Sequence, residues 1–299
     1  MRQAFAKHIG VLCKRDRKIV FLTGDLGFNA FENLRETIGD RFINAGVAEH
    51  NMVGVAAGLS TSGFKPWIYS IAPFTTIKVL EELRNDVCLA NRNVKIVGLG
   101  GGFDYGLAGP THHIIQDVSL MLSLPNMTVL APGFQEDIRH IIKTANKMLS
   151  PVYIRLTKAQ PLDYKIPVYK PIRRLTTGNK KTIIVFGSII VEALCAINQI
   201  KKNSEIDLWL VSQLPIKFPD TMINSIKKTR KLIIIEEHQK HGGLGSAISD
   251  LLISRQLSLK FFRHLYITGY KSHHYGSRQF HLKENKLDSQ SIFSILKKN

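Results

Sequence analysis

Short apolar runs alternate with longer helix-like segments along most of the chain. Predicted strands cover residues 18–22, 41–45, 65–69, 94–99, 127–130 and 152–156, and predicted helices cover 2–15, 49–60, 75–89, 115–122 and 135–148. Strands that are this short and continuously apolar are typical of parallel sheets covered on both faces. The alternation therefore predicts an α/β fold with a mainly parallel, doubly wound sheet.

The chain is long enough for a second unit of the same kind. Its 299 residues can form two domains of ordinary size, each with its own core. Three prolines and a glycine interrupt the pattern between residues 160 and 180, after which it resumes. We expect a first domain over 1–165, a linker over 166–180 and a smaller α/β domain over 181–299. The second domain has predicted strands over 182–186, 206–210 and 231–235, and helices over 190–201, 220–227 and 244–254.

The net charge of +18 is concentrated in the second half of the chain. Residues 1–139 hold 14 Lys and Arg against 13 Asp and Glu, whereas residues 140–299 hold 27 against 10. The lysines of the second half occur in pairs at predicted turns and helix ends, without the interleaved aromatic side chains on which bases stack. We therefore expect a solvated basic surface and no nucleic acid partner.

The sequence shows no membrane or disulfide signature. No apolar run approaches the roughly 20 residues that a membrane-spanning helix needs, and the first residues lack the apolar core of a signal peptide. Cys13, Cys88 and Cys195 are widely separated and show no C-x-x-C spacing, which favours buried free thiols. We expect a cytoplasmic protein that makes no membrane contact and has no metal site of its own.

One carboxylate stands out against its surroundings. Glu49 lies between an apolar predicted strand and a predicted helix rich in Gly and Ala. A carboxylate in such a place must be paired, protonated or used, because burying an unpaired charge is costly. Open parallel sheets bind ligands at the carboxyl ends of their strands, which nominates the loops around Asp25, Glu49 and Pro73 and the loop over 100–113.

The loop over 100–113 does not contain a nucleotide-binding motif. Phe103 stands where the last glycine of G-x-G-x-x-G would be, and the chain has no G-x-x-x-x-G-K-[ST] segment. His112 and His113 have no third metal ligand at a recognised spacing. They are candidates for proton transfer or substrate contact, or are polar loop residues without such a role.

Several segments, in order along the chain, resemble transketolase-like enzymes that depend on thiamine diphosphate. The first set resembles the pyrimidine-binding domain of that family, and the second set resembles its C-terminal domain. The first set comprises 47–51, Phe74, 109–112, 124–127 and 131–133, and the second comprises 236–238 and 242–247. The similarity extends over essentially the whole chain.

The resemblance implies roles for three residues toward the cofactor. Glu49, protonated or sharing its proton, would hydrogen-bond a ring nitrogen of the aminopyrimidine and favour the imino tautomer, which deprotonates the thiazolium carbon. Phe74 would stack on the pyrimidine ring. Asp25, in a Gly-Asp-Leu segment, is the nearest match to the family's Gly-Asp-Gly motif, but it lies in a different domain from that motif and is a candidate cofactor contact because it follows the first strand. It lacks the third glycine and the accompanying Asn.

The resemblance also implies contacts with the substrate. His112 would contact the substrate carbonyl or a hydroxyl and assist proton transfer, with His113 beside it. Arg155 matches an arginine that binds the acceptor's phosphate, a task suited to a bidentate guanidinium. Ala108 and Gly100 depart from the transketolase pattern, which has a sugar-recognising Asp and a phosphate-contacting His there. Cofactor activation is therefore better supported than ordinary pentose phosphate specificity. We expect a phosphorylated or modified sugar as substrate, and another hydroxyketone as donor is left open.

The family's N-terminal diphosphate-binding domain, which holds magnesium, has no counterpart in the chain. The chain is thus expected to be the C-terminal, beta-type subunit of a split transketolase, working with a separate diphosphate-binding subunit in a two-plus-two heterotetramer. Thiamine diphosphate would be the cofactor, with magnesium held mainly by the partner. The alternatives are the beta subunit of a 2-oxoacid dehydrogenase, a deoxyxylulose phosphate synthase-like enzyme, or a catalytically inactive binding or regulatory protein of the same fold.

Overall fold

The chain forms two sheets in a computed structural model that describes residues 1–26, 29–158, 164–200 and 205–298. Residues 159–163, near the end of the predicted first domain, lie outside the described residues. So does residue 201, the last residue of a predicted helix. The seven strands of the first sheet are β1 (Ile19–Thr23), β2 (Phe42–Asn44), β3 (Lys65–Ile71), β4 (Lys95–Leu99), β5 (Thr128–Leu130), β6 (Val152–Leu156) and β10 (Gln213–Leu214).

The first sheet is parallel except at one edge. Its strand order is β10-β5-β6-β4-β3-β1-β2, and only the pairing of β10 with β5 is antiparallel. Strands β1, β4 and β6 are buried at every position, because helices cover both faces. The helices that accompany this sheet are α1 (Arg2–Arg15), α2 (Glu32–Ile38), α3 (Glu49–Thr61), α4 (Ala72–Thr75), α5 (Leu80–Glu82), α6 (Asp117–Leu122) and α7 (Ile138–Lys147).

The predicted helix over 75–89 is wrong as a single element. Helix α4 ends at Thr75, the backbone turns away at Thr76 (φ −127°, ψ −91°), and a 3-10 turn, α5 and a π-helical turn (Leu83–Cys88) follow. The β-branched run of Thr75, Thr76 and Ile77 disfavours helix, and the Thr76 hydroxyl donates instead to the carbonyl of Ala72, 2.6 Å away. This break determines which side chains reach Glu49.

The second sheet has five strands, namely β7 (Ile172–Thr176), β8 (Lys181–Phe186), β9 (Ile206–Val211), β11 (Lys231–Gln239) and β12 (Phe261–Ile267). Their order is β12-β11-β8-β9-β7, with only β7 antiparallel. Strand β7 lies inside the segment 166–180 for which the sequence predicts a linker, and it pairs with β9. The helices are α8 (Ile190–Asn198), α9 (Asp220–Thr229), α10 (Leu244–Ser254), α11 (Arg278–Glu284) and α12 (Ser289–Lys298).

The two units share strands and core. Strand β10 follows β9 of the second sheet but extends the first sheet. One apolar cluster contains Val129 of β5 together with Trp209 of β9 and Ile234 of β11. The α/β class with mainly parallel sheets is confirmed. Strand β12 and helices α11 and α12 were not predicted.

Two of the three cysteines are fully buried free thiols, and Cys195 is partly buried. Burial raises the pKa of the Cys13 and Cys88 thiols to about 12, so neither is a nucleophile at neutral pH. Within the described ranges, no helix has the length and apolar character needed to cross a membrane.

Candidate active site

Glu49 is the first residue of α3 and lies at the edge of the first sheet where β1, β2 and β3 end. Only 3% of its surface is exposed. A turn at Gly46, with φ of +68°, separates it from β2 and brings the chain back under the sheet edge. The positive end of the α3 dipole favours a carboxylate at this position.

Two side chains contact the carboxylate of Glu49. The ammonium of Lys78 lies 2.6 Å from Oε2, and the hydroxyl of Ser70 donates to Oε1 over 3.4 Å. Lys78 belongs to the 3-10 turn (Ile77–Val79) and its side chain is 37% exposed, so solvent reaches one side of the ion pair. Neither Lys78 nor Ser70 was predicted from the sequence as a site residue. The predicted continuous helix over 75–89 gives no reason to place Lys78 beside Glu49. In the structure the helix is interrupted after Thr75, and the 3-10 turn that follows places Lys78 beside Glu49.

Phe74 adjoins the same ion pair. Its ring is half-buried on α4, and the Lys78 ammonium lies 5.4 Å from the ring centroid. The same ammonium lies 2.6 Å from Glu49 Oε2, so the Phe74 ring and the Glu49 carboxylate are close to each other. His112 contacts Phe74 from another direction, with ring centroids 5.5 Å apart and an interplanar angle of 66°. The structure thus brings Glu49, Phe74 and His112 together, with Lys78 between the first two.

His112 lies on the glycine-rich loop that follows β4 and is partly exposed. Its Nδ1 lies 2.9 Å from the hydroxyl of Thr111, and Nε2 has no hydrogen-bond partner among the described residues. A ring held at Nδ1 with Nε2 available is suited to accepting or donating a proton.

Asp25 lies at the rim of the site. It follows β1, is exposed, and accepts a hydrogen bond from the Asn44 amide, with a distance of 3.2 Å. Its neighbour Gly24 is close to the catalytic candidate, since a Cβ on Gly24 would lie 3.4 Å from Oε1 of Glu49. Asp25 is therefore near the site but separate from the buried carboxylate.

His113 points away from this cluster. It is 2% exposed and packs against the rings of Phe103 (centroids 5.4 Å apart) and Tyr270 (4.9 Å) in the junction between the two sheets. Burial, followed by the neighbouring His281 and His112, lowers the pKa of His113 to about 4, so the ring is neutral at physiological pH. The predicted substrate contact of His113 is not supported by this placement.

Arg155 is also enclosed. It is 2% exposed, its Nε donates to Asp117 Oδ2 over 2.7 Å, and its Nη2 donates to the carbonyl of Glu237 over 3.0 Å. The hydroxyl of Tyr153 donates to the same Asp117 oxygen over 2.9 Å. In this structure the guanidinium therefore joins β6 to α6 and β11, and has no free edge toward a substrate.

The Glu-Glu-His segment of the second unit links the two units. Glu236 accepts hydrogen bonds from the backbone amides of Leu244 and Gly245 at the start of α10, each 2.8 Å. Glu237 accepts from the backbone amide of Phe103 over 3.0 Å and pairs with Arg278 over 2.6 Å. Through its bond to Phe103, Glu237 holds the loop after β4, and hence the segment that carries His112, against the second unit.

Gly100 has a structural reason to be glycine. Its φ is +84°, and a Cβ there would overlap the ring of Tyr105. A histidine, which the transketolase pattern has at this place, would require both a different backbone and a displaced Tyr105. Ala108 is exposed in the 3-10 turn (Gly106–Ala108) of the same loop.

Replacing Lys78 by Met should destabilise the chain. Met has a similar length but leaves the buried Glu49 carboxylate without its cation. Because the pair is half-exposed, we expect a loss between the ~1 kcal/mol of a surface pair and the ~3–5 kcal/mol of a buried one. Urea unfolding of the isolated chain measures it. Lys217→Met, at an exposed lysine without a described partner, should change stability by less than ~0.5 kcal/mol, and equal effects of the two changes would contradict the assigned pair.

Two family models match the chain in succession. The model described as "Transketolase, pyrimidine binding domain" matches residues 1–161, and the one described as "Transketolase, C-terminal domain" matches residues 171–292. The chain belongs to the transketolase family. The resemblance seen in the sequence is confirmed, as is the order of a pyrimidine-binding unit followed by a C-terminal unit.

Members of the transketolase family with similar length include subunits of divided enzymes. An apulose-4-phosphate transketolase subunit of Actinobacillus succinogenes is 32% identical over 86% of this chain and 84% of that protein. The 6-deoxy-6-sulfo-D-fructose transketolase subunit SqwH of Clostridium sp. strain MSTE9 is 30% identical over 84% and 80%. A solved structure described as a split gene transketolase, inactive beta4 tetramer, is 29% identical, with a TM-score of 0.86 over 99% of this chain and 97% of that chain.

Proposed function

We propose that this chain is the beta-type subunit of a two-chain transketolase that transfers a two-carbon ketol unit from a ketose to an aldose. The cluster of buried Glu49, half-buried Phe74 and partly exposed His112 at one sheet edge is the observation that carries the proposal. Names of similar proteins support it, because two of them are subunits of divided transketolases.

The site fits the pyrimidine half of thiamine diphosphate. That ring needs a buried carboxyl group at a ring nitrogen and an aromatic face to stack on, and Glu49 and Phe74 provide both within reach of one another. The Lys78 ammonium lies between these two groups and would have to leave the carboxylate when the ring enters. The bound cofactor would supply the carbon nucleophile that ketol transfer requires.

The residues of this chain would have distinct tasks. Glu49 would hydrogen-bond the ring nitrogen through the carboxylate oxygen that Lys78 occupies here, while Ser70 keeps its contact with the other oxygen. Phe74 would orient the ring by stacking and exclude water from one face. His112 would transfer a proton at Nε2 to or from the oxygen of the substrate, its ring orientation held by Thr111.

A separate diphosphate-binding subunit would complete the site. Among the described residues, no group of three or more His, Cys, Asp or Glu side chains is arranged to hold a metal ion. We propose that the partner holds the magnesium and the diphosphate, in a two-plus-two heterotetramer. The substrate would be a phosphorylated or otherwise modified sugar, because Ala108 and Gly100 leave out two ordinary contacts to pentose phosphates.

Reconstitution tests this proposal. The purified chain should show no ketol transfer alone, and transfer should appear when the diphosphate-binding transketolase subunit of the same organism, thiamine diphosphate and magnesium are added. The donors tested should be ketoses with a terminal phosphate or sulfonate, with ordinary pentose phosphates as the comparison. Turnover by the chain alone would refute the divided site. Decarboxylation of pyruvate or branched 2-oxoacids in place of ketol transfer would indicate a 2-oxoacid dehydrogenase subunit instead.

A further inference from the structure

Helices α1 and α7 pack against the same face of the first sheet, and neither contains an acidic residue. Residues 1–147, which include both helices, are nearly balanced overall, with 16 Lys and Arg against 13 Asp and Glu. The surplus on these two helices is therefore local. Like charges on adjacent helical turns repel each other and are destabilising unless a ligand or solvent ions neutralise them. The basic residues of the two helices are Arg2, Lys7, Lys14, Arg15, Arg139, Lys143 and Lys147.

Four of these cations border one groove between the two helices. Lys7 and Arg15 of α1 face Arg139 and Lys143 of α7 across a cavity of about 360 Å³. All four side chains are exposed, and none of them makes a hydrogen bond or an ion pair within the described part of the chain. Burial, with Lys7, Arg139 and Lys143 adding to it, lowers the pKa of His8 in the same groove, which reflects how closely these cations approach.

The floor of the groove is apolar. Val11 is 46% exposed, and Leu12 and Ile142 line the same cavity. A surface valine with this exposure gains free energy when a ligand covers it. The groove therefore combines a rim that recognises several negative charges with a floor that recognises an uncharged body.

We propose that this groove binds an organic polyphosphate of the size of a nucleoside di- or triphosphate. Phosphate groups would contact Lys7, Arg15, Arg139 and Lys143, and the organic part would cover the apolar floor. Each terminal phosphate carries close to two negative charges at neutral pH, and Arg binds phosphate through two parallel hydrogen bonds. The cavity volume lies in the usual range of about 300–1,000 Å³ for small-molecule sites.

This site is separate from the proposed cofactor site. Glu49 belongs to α3, whose buried Met52 and Val53 join the apolar cluster on the other face of the sheet from α1 and α7. The proposal therefore does not depend on the proposed function and can fail or succeed independently of it.

Isothermal titration of the full chain with ATP, ADP, AMP and inorganic tripolyphosphate tests the proposal. We expect saturable binding of one ATP per chain with a Kd below about 1 mM, weaker binding of ADP and much weaker binding of AMP. Lys7→Glu and Lys143→Glu should each weaken ATP binding at least tenfold. Lys147→Glu, which makes the same charge change on α7 outside the groove, should leave the Kd within twofold, as should Glu49→Gln.

Four results would overturn the proposal. The first is the absence of saturable ATP binding, and the second is a loss of ATP affinity in Lys147→Glu equal to that in Lys143→Glu. The third is tripolyphosphate binding as tight as ATP binding, which would leave the apolar floor without a role. The fourth is selective capture of an acidic peptide with no nucleotide binding, which would indicate a protein-docking groove. A Val11→Ser variant examines the floor directly, since it removes apolar surface without adding charge and should weaken ATP binding more than tripolyphosphate binding.

Discussion

Glu49→Gln should reduce turnover of the reconstituted enzyme at least ~100-fold while the fold is retained. Gln has the same shape and can still hydrogen-bond a ring nitrogen, but it cannot exchange the proton that general acid–base catalysis needs, which contributes roughly 10²–10⁴ in rate. Glu49 is 3% exposed, and its carboxylate is held between Lys78 and Ser70. Steady-state kinetics with saturating cofactor and partner measure the loss.

Glu82→Gln is the matched control. The Glu82 carboxylate also forms a pair, with His50 Nδ1 at 2.6 Å, and its side chain on α5 is 26% exposed, so the same chemical change is made outside the proposed site. We expect kcat within twofold of the parent for this variant. Circular dichroism and thermal unfolding should show native structure in both proteins. Turnover of Glu49→Gln within threefold of the parent would rule out the assigned role.

Arg155→Met should lower the free energy of unfolding by about 3–5 kcal/mol, because it leaves the buried Asp117 carboxylate without its cation. Asp117 and Arg155 side chains are 0% and 2% exposed, and after the change the Tyr153 hydroxyl is the only side chain among the described residues that remains bonded to Asp117. The change also removes the bond from Arg155 to the Glu237 carbonyl, which connects the two units. Urea unfolding monitored by circular dichroism measures the difference.

Two further variants separate a structural role from substrate binding. Arg255→Met, at an exposed arginine, should cost less than ~0.5 kcal/mol. Adding Asp117→Leu to Arg155→Met should recover much of the lost stability, because no charge is then left buried. A raised KM for phosphorylated acceptors with unchanged stability would instead support the substrate contact that the sequence resemblance implied for Arg155.

The sequence predicted the core elements of both units because their signal is local. Apolar runs such as β1 and β4, and the periodic pattern of α1 and α7, are properties of consecutive residues. The prediction failed where the outcome depends on distant contacts. Strand β7 resembles part of a linker in the sequence because its apolar content is low and its paired residues in β9 lie 32 to 39 positions away.

The site shows the same division. Glu49 and the loops that carry Phe74 and His112 could be selected from the sequence, since each follows a strand of a parallel sheet and so lies at its carboxyl edge. The resemblance to transketolase-like enzymes then singled out Phe74 and His112 within those loops. Lys78 could not, because its position depends on the break at Thr76. His113 and Arg155 occur in the same sequence contexts as site residues, yet their side chains turn into the junction between the units.

The sequence by itself determined the fold class, the family and the choice of Glu49, because alternating apolar runs and short motifs are written in consecutive residues. Only the tertiary structure decided what each polar side chain contacts. Burial and pairing are set by residues far apart in the chain, so Lys78 came to neutralise Glu49, and Asp117 came to hold Arg155 inside the protein. Local sequence patterns do not identify such distant partners. The charge of a residue alone therefore does not show whether the residue binds a substrate or another part of its own chain.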